Sequence, residues 1–143
     1  MPSPIDVYGA IANHVASNVG DISGGVWVCE EPETKELNYV VVDDRGFKTQ
    51  FSMESVYTSD GTLSLHVFAA NALTARTIGK AIKDLFGPYD SERLITTDGT
   101  FQFVYVTESG FQLAIEPDPD REGARIFRYT IDYNVGIQGS YQT

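Results

Sequence analysis

The sequence predicts an α+β fold in which two α-helices pack on one face of a mainly antiparallel β-sheet. Residues 4–19 and 71–86 carry apolar residues at helical spacing, whereas much of the remaining chain alternates apolar and polar residues. Two helices are too few for a parallel sheet built from βαβ units. We expect residues 1–143 to form a single domain, because this length is ordinary for one hydrophobic core.

The first helix is predicted between Pro4 and Val19. Ser3 suits the N-cap, and Pro4 suits the first helical position, where its missing N–H loses no hydrogen bond. Gly20 is expected to end the helix. The residues expected to face the core recur at steps of three and four: Val7, Tyr8, Ile11, Ala12, Val15 and Val19.

Two short strands are predicted next, at Val26–Cys29 and Leu37–Val42, because both segments are rich in β-branched and aromatic residues. The segment between them, Glu30–Glu36, contains four acids and a proline and is predicted to be an exposed loop. A longer strand is predicted after Arg45-Gly46. The Asp60-Gly61 pair is a two-residue hairpin signal, so a turn is predicted there.

The strand after that turn alternates regularly from Leu63 to Ala69. Successive side chains of a strand point to opposite faces, so the two sets of residues are expected on different sides of the sheet. The predicted core set is Leu63, Leu65, Val67 and Ala69, and the predicted opposite set is Ser64, His66 and Phe68.

The second helix is predicted from Asn71, its N-cap, to Phe86, with Gly87 and Pro88 ending it. Three of the ten basic residues, Arg76, Lys80 and Lys83, lie on its polar side. A solvated helix face accounts for them, and a docking surface for an acidic partner is the alternative. The predicted buried stripe is Ala75, Ile78, Ala81, Ile82, Leu85 and Phe86.

The last third of the chain predicts an antiparallel meander. Turns are predicted at Asp98-Gly99 and at Glu108-Ser109-Gly110, and a loop is predicted over Glu116–Gly123. The strands between and around these breaks alternate or are rich in aromatic residues. They are Leu94-Ile95, Phe101–Val106, Phe111–Ile115 and Phe127–Val135.

Composition excludes several function classes. The formal net charge is −10, which disfavours a free-standing nucleic-acid binder, because phosphate contacts need clustered Lys and Arg. The single cysteine, Cys29, excludes an internal disulfide and an all-cysteine metal site. Neither a membrane-spanning segment nor a signal peptide is recognisable, so we expect a soluble protein of a reducing compartment.

No catalytic or cofactor site is predicted. The common nucleotide-binding and hydrolase motifs are missing. The only histidines, His14 and His66, have no partner at metal-ligand spacing, and we expect surface or packing roles for both. A nucleophile pair of Cys29 with either histidine is disfavoured, because nothing near the cysteine in sequence would activate its thiol.

Two acidic segments invite comparison with cation sites. Glu116, Asp118, Asp120 and Glu122 stand at alternate positions, as in a calcium loop. However, Arg121 occupies the sixth position, where such a loop needs glycine. Pro117 and Pro119 also favour extended geometry. An acidic hairpin loop is the simpler interpretation, and weak divalent-ion binding is the alternative. The same pair of interpretations applies to Glu30, Glu31, Glu33 and Glu36.

Four segments together resemble the tail terminator, or tail completion, proteins of long-tailed bacteriophages. The opening helix around Asp6–Ile11 and the strand Leu37–Val42 are similar to corresponding elements of that family. The strongest match is Leu63–Arg76, where a strand ending in an aromatic residue passes directly into a helix that closes at Leu85-Phe86-Gly87. The strand Tyr129–Val135 is similar to the family's closing strand. The motifs are apolar patterns rather than catalytic signatures. The extra length of Asp43–Ser59 departs from the family pattern.

The resemblance implies a non-enzymatic structural protein of the virion. Such proteins form a ring, commonly of six subunits, that caps the tail tube, stops its polymerisation and joins the tail to the head connector. The implied partners are other copies of the chain, the tail tube protein and the connector protein. DNA would pass through the lumen without specific binding. The implied location is the phage tail, with assembly in the host cytoplasm, and no cofactor, metal or membrane is implied.

Two other interpretations stay open from the sequence. One is a small α+β ligand-binding domain or enzyme with a pocket between sheet and helices, for which Glu54 and His66 are the only weak candidates. The other is a different head–tail joining protein of the same virion region. Genes for capsid and tail-tube proteins beside this one would favour the phage interpretations over the pocket.

Overall fold

Over the residues that the structure describes, the fold combines two helices with a six-stranded sheet. A computed structural model describes residues 4–29, 37–52, 56–86, 94–95, 99–118 and 121–141. Several predicted features lie outside these ranges, namely the Ser3 cap, the Gly87-Pro88 stop and the Asp98 turn. The elements in chain order are α1 (Pro4–Asn18), β1 (Val26–Val28), β2 (Tyr39–Ser52), β3 (Val56–Ala69), α2 (Ala72–Phe86), β4 (Leu94–Ile95), β5 (Gly99–Pro117) and β6 (Arg125–Tyr141).

The sheet is mainly antiparallel, which confirms the predicted α+β class. Its strand order is β1-β2-β3-β6-β5-β4, and only the β1–β2 pair at one edge is parallel. The long central strands pair over nearly their whole lengths, with Leu65 opposite both Val42 on β2 and Ile131 on β6. This register places odd-numbered residues of β6 on one face and even-numbered ones on the other.

Both helices pack on the same face of the sheet, as predicted. α1 contacts β1, β2 and β4, whereas α2 contacts β3 and β6. We call this side the helix face and the other side the open face. The main core lies between the helices and the helix face, and its fully buried members include Tyr8, Ile11, Val15, Val42, Leu63, Leu65, Val67, Ile82, Phe101 and Ile131.

Specific contacts fix the positions of the two helices. The Asn71 side chain accepts a hydrogen bond from the Thr74 backbone N–H at 2.8 Å, which confirms the predicted N-cap. Tyr8 of α1 donates its hydroxyl proton to the carbonyl oxygen of Thr62 on β3. Within the described residues, neither helix is long and apolar enough to span a membrane.

The predicted turn at Asp60-Gly61 is wrong. Both residues lie inside β3, where Asp60 pairs with Lys48 on β2 and with Gly136 on β6. Pairing along both edges of the strand outweighs the local turn preference of the dipeptide. The β2–β3 hairpin instead closes between Ser52 and Val56, and the predicted break at Arg45-Gly46 is a register shift within β2.

The predicted turn at Glu108-Ser109-Gly110 is also wrong. β5 continues through it for 19 residues and pairs with β6 throughout. A register shift between Glu108 and Gly110 absorbs the extra residue as a β-bulge, so the chain bends locally without reversing. A long β5–β6 hairpin therefore replaces the two short strands expected on either side of this turn.

Candidate functional site

His14 and Cys29, two candidates from the sequence, belong to different parts of the fold: His14 lies on α1, and Cys29 follows β1. His14 lies near the end of α1, where the Asn18 amide donates to its carbonyl oxygen. Its ring meets Phe86 of α2 edge-on, with centroids 6.3 Å apart. Cys29 is exposed just beyond β1. His14 therefore has the packing role expected for it, here between the helices.

His66 belongs to a polar network on the open face. Its Nδ1 lies 2.9 Å from Thr130 Oγ1, and its Nε2 lies 3.5 Å from the Asp43 carboxylate. Beside it, the Ser64 hydroxyl donates to Asp132. The contacts join β2, β3 and β6. The Ser64 proton is directed at a carboxylate rather than at His66, so the geometry of an activated serine is not formed here.

An aromatic and aliphatic cluster occupies the β1 end of the open face. The Tyr39 and Phe68 rings stack with centroids 4.6 Å apart, and both side chains are buried. Trp27 packs beside them and donates its indole N–H to the Gly24 carbonyl oxygen at 2.8 Å. The alternation of β3 predicted the side of the sheet for Phe68 but not its burial. The remaining members are Leu37, Val41 and Ile126.

The predicted acidic loop over Glu116–Gly123 begins at the end of β5 and leads into β6. Glu116 lies on β5 and pairs with Arg128 at 2.9 Å, and the Asp118 backbone N–H donates to the Ala124 carbonyl oxygen. Asp120 lies outside the described residues, as do Glu54 and the segment 30–36. No group of three or more potential metal ligands forms among the described residues. A cleft of about 540 Å³ adjoins this connection.

Lys83 does not share a solvated face with the other bases of α2. Its ammonium contacts Glu108 at 2.9 Å and lies 3.6 Å from the centroid of the Phe111 ring, so it ties α2 to β5. Burial lowers the pKa of Lys83, but hydrogen bonds to Tyr129 and Glu108 outweigh this effect and raise it. Lys80, in contrast, pairs on the helix surface with Asp84.

Tyr133 is a buried titratable group near the same contact. Its hydroxyl is buried without a hydrogen-bond partner among the described residues, and its ring lies 5.5 Å from that of Phe86. Burial raises the pKa of Tyr133 well above its ordinary value, and the Glu108 carboxylate adds to the increase. The group is therefore held in its neutral form.

β5 carries most of the large exposed apolar side chains that the structure describes. On its outer side, β5 pairs with β4 at Thr100 and Phe101. Four of the five large exposed apolar side chains of the described chain lie on this strand. They are Val104, Tyr105, Phe111 and Ile115, the last two exposed by 60% and 55%.

Phe111 and Ile115 face the helix side, where Lys83 of α2 reaches the Phe111 ring but both side chains stay more than half exposed. Phe111 pairs with Ile131, and Ile115 pairs with Phe127, both on the helix face of β6. Leu113 lies between them and is partly buried against the core. We call Phe111, Leu113 and Ile115 the β5 shelf. Sequence analysis placed these residues in a strand but missed the shelf, because strand order decides which strand is at the edge.

The comparisons with known proteins identify a neighbour of similar fold. No protein-family model matches the chain, and no curated protein matches it. Among solved structures, a chain from the "virion of native gene transfer agent (GTA) particle" is similar, with a TM-score of 0.52 and 14% sequence identity. The alignment covers 96% of this chain and 95% of that one. This likeness is one of fold. It extends over nearly the whole of both chains.

Proposed function

We propose that this protein is a structural component of a phage-like virion and that it acts as the tail terminator. In this role a ring, taken here as six subunits, caps the tail tube, stops tube polymerisation and joins the tail to the head connector. The observation that carries the proposal is the fold likeness, at a TM-score of 0.52 over 96% of this chain, to a chain of a gene transfer agent virion. The four sequence segments that resemble tail terminators point to the same class of protein.

The surface of the molecule supports an assembly role. β5 offers exposed apolar side chains, a feature that often marks protein–protein contacts. The formal charge of −10 suits a ring through which DNA passes, because like charge discourages the duplex from adhering. The polar network on the open face fits structural pairing between strands, and we propose that the protein catalyses no reaction.

The two clefts described offer no support for the alternative of a pocket between sheet and helices. One lies at the β5–β6 connection, and the other is lined by sheet residues including Ser64 and Asp132. No helix residue lines either of them. The tail-terminator role therefore accounts for more of the described surface than a ligand pocket does.

The proposed role can be tested by polymerising the tail tube protein of the same virus with and without this chain. We expect added protein to limit tube length and to appear as a ring at one tube end in negative-stain electron microscopy. Tubes of equal length in both reactions, with no ring at their ends, would refute the role. A ring that binds the connector but leaves tube length unchanged would instead indicate another head–tail joining protein.

The non-enzymatic character has a separate test. The variants Cys29→Ala, His14→Ala and His66→Ala, each checked for native circular dichroism, should limit tube length as the wild type does. A folded His66→Ala protein that fails to do so would contradict a purely structural role for the open-face network.

A further inference from the structure

The three bases of α2 have no part in the proposed role, and they lie on one side of the helix. Gly79 faces the Tyr129 ring on β6, and Lys83 reaches past it to β5, with its ammonium 3.6 Å from the centroid of the Phe111 ring. Arg76 and Lys80 precede Lys83 by about two turns and about one turn. All three bases therefore share the side of α2 that is next to β5.

This side of α2 carries more positive than negative charge. Its three bases lie near one acid of the same helix, Asp84, which pairs with Lys80 on the exposed surface. Lys83 shares its charge with Glu108 of β5, whereas Arg76 is exposed and forms no ion pair among the described residues. The whole chain has 20 acids and 10 bases, so this local excess of bases runs against its composition. The surface favours a negatively charged partner.

The β5 shelf lies directly beside this basic surface. Phe111 and Ile115 are exposed by 60% and 55%, and Leu113 between them is partly buried against the core. α2 packs over β3 and β6, and α1 reaches β4, which pairs with the other end of β5 at Thr100 and Phe101. We call the space between the shelf and α2 the α2–β5 groove. Its floor is the β5 shelf, and its wall is formed by Arg76, Lys80 and Lys83.

The shape of the α2–β5 groove suits a helix that lies alongside α2. Alternate residues of a strand are about 6.7 Å apart, and residues four apart in a helix are about 6 Å apart along its axis. Apolar side chains at positions i, i+4 and i+8 of a helix can therefore each meet one of the three shelf residues. A helix in this place continues the layer that α1 and α2 form on the helix face.

A second copy of this chain does not supply such a helix from its described residues. The apolar stripes of α1 and α2 are buried in the subunit's own core, where Ile11 and Ile82 are fully buried. The exposed parts of the two outer shelf residues amount to roughly 200 Å², well below the ~800 Å² per partner of a standard protein interface. A short element of a different protein fits this area better than a whole second subunit does.

We propose that the α2–β5 groove is the docking site for an acidic amphipathic helix of a partner protein. The apolar stripe of that helix covers the β5 shelf, and carboxylates along one border of the stripe meet Arg76 and Lys80. The basic wall selects the sign of the partner's charge, and the apolar floor selects an amphipathic element. The site does not depend on the tail-terminator role, so the two proposals can fail separately.

Peptide binding tests the site with a defined probe. The probe is a fluorescein-labelled peptide of 15 residues, the length of α2, with leucine along one helical stripe, glutamate along one border and glutamine elsewhere. A second peptide has lysine in place of every glutamate, and a third has the first composition in scrambled order. Fluorescence anisotropy with the full-length protein measures the three dissociation constants.

We expect the acidic amphipathic peptide to bind at least about tenfold more tightly than the basic or the scrambled peptide. Its circular dichroism should gain helical signal on binding. Equal affinities for the acidic and basic peptides, or no binding of the acidic peptide up to about 1 mM, would overturn the proposal. A peptide that binds without gaining helix would contradict the proposed helical occupant.

Substitutions in the protein locate the bound peptide. Ile115→Asp and Arg76→Glu should each raise the dissociation constant of the acidic peptide at least about tenfold, because they charge the floor and reverse the charge of the wall. Val104→Asp and Arg121→Glu are the matched controls. Val104 is 48% exposed on β5 but well before the shelf, and Arg121 is an exposed base in the turn before β6. Both controls should bind like the wild type, and equal losses in variants and controls would refute the site.

Nuclear magnetic resonance on the wild type keeps the site testable where a variant does not fold. The acidic peptide should shift backbone amide resonances of residues 76–83 and 111–115 far more than those of residues 39–42 on β2. Shifts centred outside the α2–β5 groove would overturn the assignment. A protein that limits tube length but binds no acidic peptide would keep the tail-terminator role and lose this site.

Discussion

The ring of Tyr129 on β6 lies against the backbone of Gly79 on α2. A Cβ added at Gly79 would come within 2.5 Å of the ring, closer than side chains pack in native proteins. Both residues are buried, and Lys83 lies one turn further along the same helix with its ammonium 5.4 Å from the Tyr129 ring centroid. The absence of a side chain at position 79 therefore sets how closely α2 approaches the sheet.

Gly79→Ala should lower the free energy of unfolding by about 1–3 kcal/mol, because overpacking outweighs the gain in helix propensity. Gly9→Ala in α1 is the matched control: nothing lies within 4 Å of its added Cβ. That variant should gain roughly 0.5–1 kcal/mol, the usual advantage of alanine over glycine within a helix. Urea denaturation measures both. Equal gains at the two positions would contradict the close α2–sheet contact.

A second glycine contact lies on the open face. The Tyr105 ring crosses Gly136, where an added Cβ would lie 2.3 Å from a ring carbon, and its hydroxyl donates to Asp60 at 2.8 Å. Gly136→Ala should cost about 1–3 kcal/mol of unfolding free energy by displacing the ring. Gly110→Ala, with nothing within 4 Å of its added Cβ, should change stability little. A double variant with Tyr105→Ala should relieve most of the Gly136→Ala cost, since no ring then remains to be displaced.

Because the helices pack on the sheet, substitutions at the centre of the core between them should lower stability strongly. Leu65 and Ile82 are fully buried, one on β3 and one on α2. Replacing either by Ala should cost about 2–5 kcal/mol, the usual range for removing a buried aliphatic side chain. Leu73→Ala, at an exposed position, should change stability by less than about 0.5 kcal/mol. Losses below half a kcal/mol at both buried sites would be incompatible with this core.

Stability should fall at alkaline pH in a way that depends on Tyr133. Its pKa is raised in the folded state, so the unfolded chain loses this proton first as pH rises past about 10. The contribution of Tyr133 to the free energy of unfolding is therefore fully present below pH 10 and is lost as the pH rises above it. The pKa of Lys83 is also raised in the folded state, so its contribution to the free energy of unfolding likewise falls as the pH rises. Denaturant midpoints between pH 8 and 11, with tyrosinate absorbance, measure this dependence.

In Tyr133→Phe, stability should fall less steeply above pH 10 than in the wild type. At neutral pH it should leave stability unchanged or raise it by about 1 kcal/mol, because the buried hydroxyl has no partner among the described residues. Tyr105→Phe is the contrasting variant, since it removes a hydroxyl that is bonded to Asp60, and it should lose stability at neutral pH. An unchanged alkaline slope in Tyr133→Phe would assign the titration to another group.

Local chemistry determined the helices and the face alternation. The Asn71 cap, the apolar stripes from Val7 to Val19 and from Ala75 to Phe86, and the alternation around Leu65 act within a few residues of each other, so the sequence alone predicts them. The predicted α+β class follows from the same local patterns. The resemblance to tail terminators also rests on these apolar patterns rather than on a chemical motif.

Only the tertiary structure decided where the strands end, in what order they lie and what remains exposed. Asp60-Gly61 and Glu108-Ser109-Gly110 have turn chemistry, yet pairing with distant strands keeps both inside continuous strands. Lys83 looks like a surface base until β5 brings Glu108 and Phe111 to it. The β5 shelf lies on the helix side of the sheet, where Lys83 of α2 contacts Phe111 while Phe111 and Ile115 stay more than half exposed. Such properties depend on residues far apart in the chain, so no local pattern encodes them.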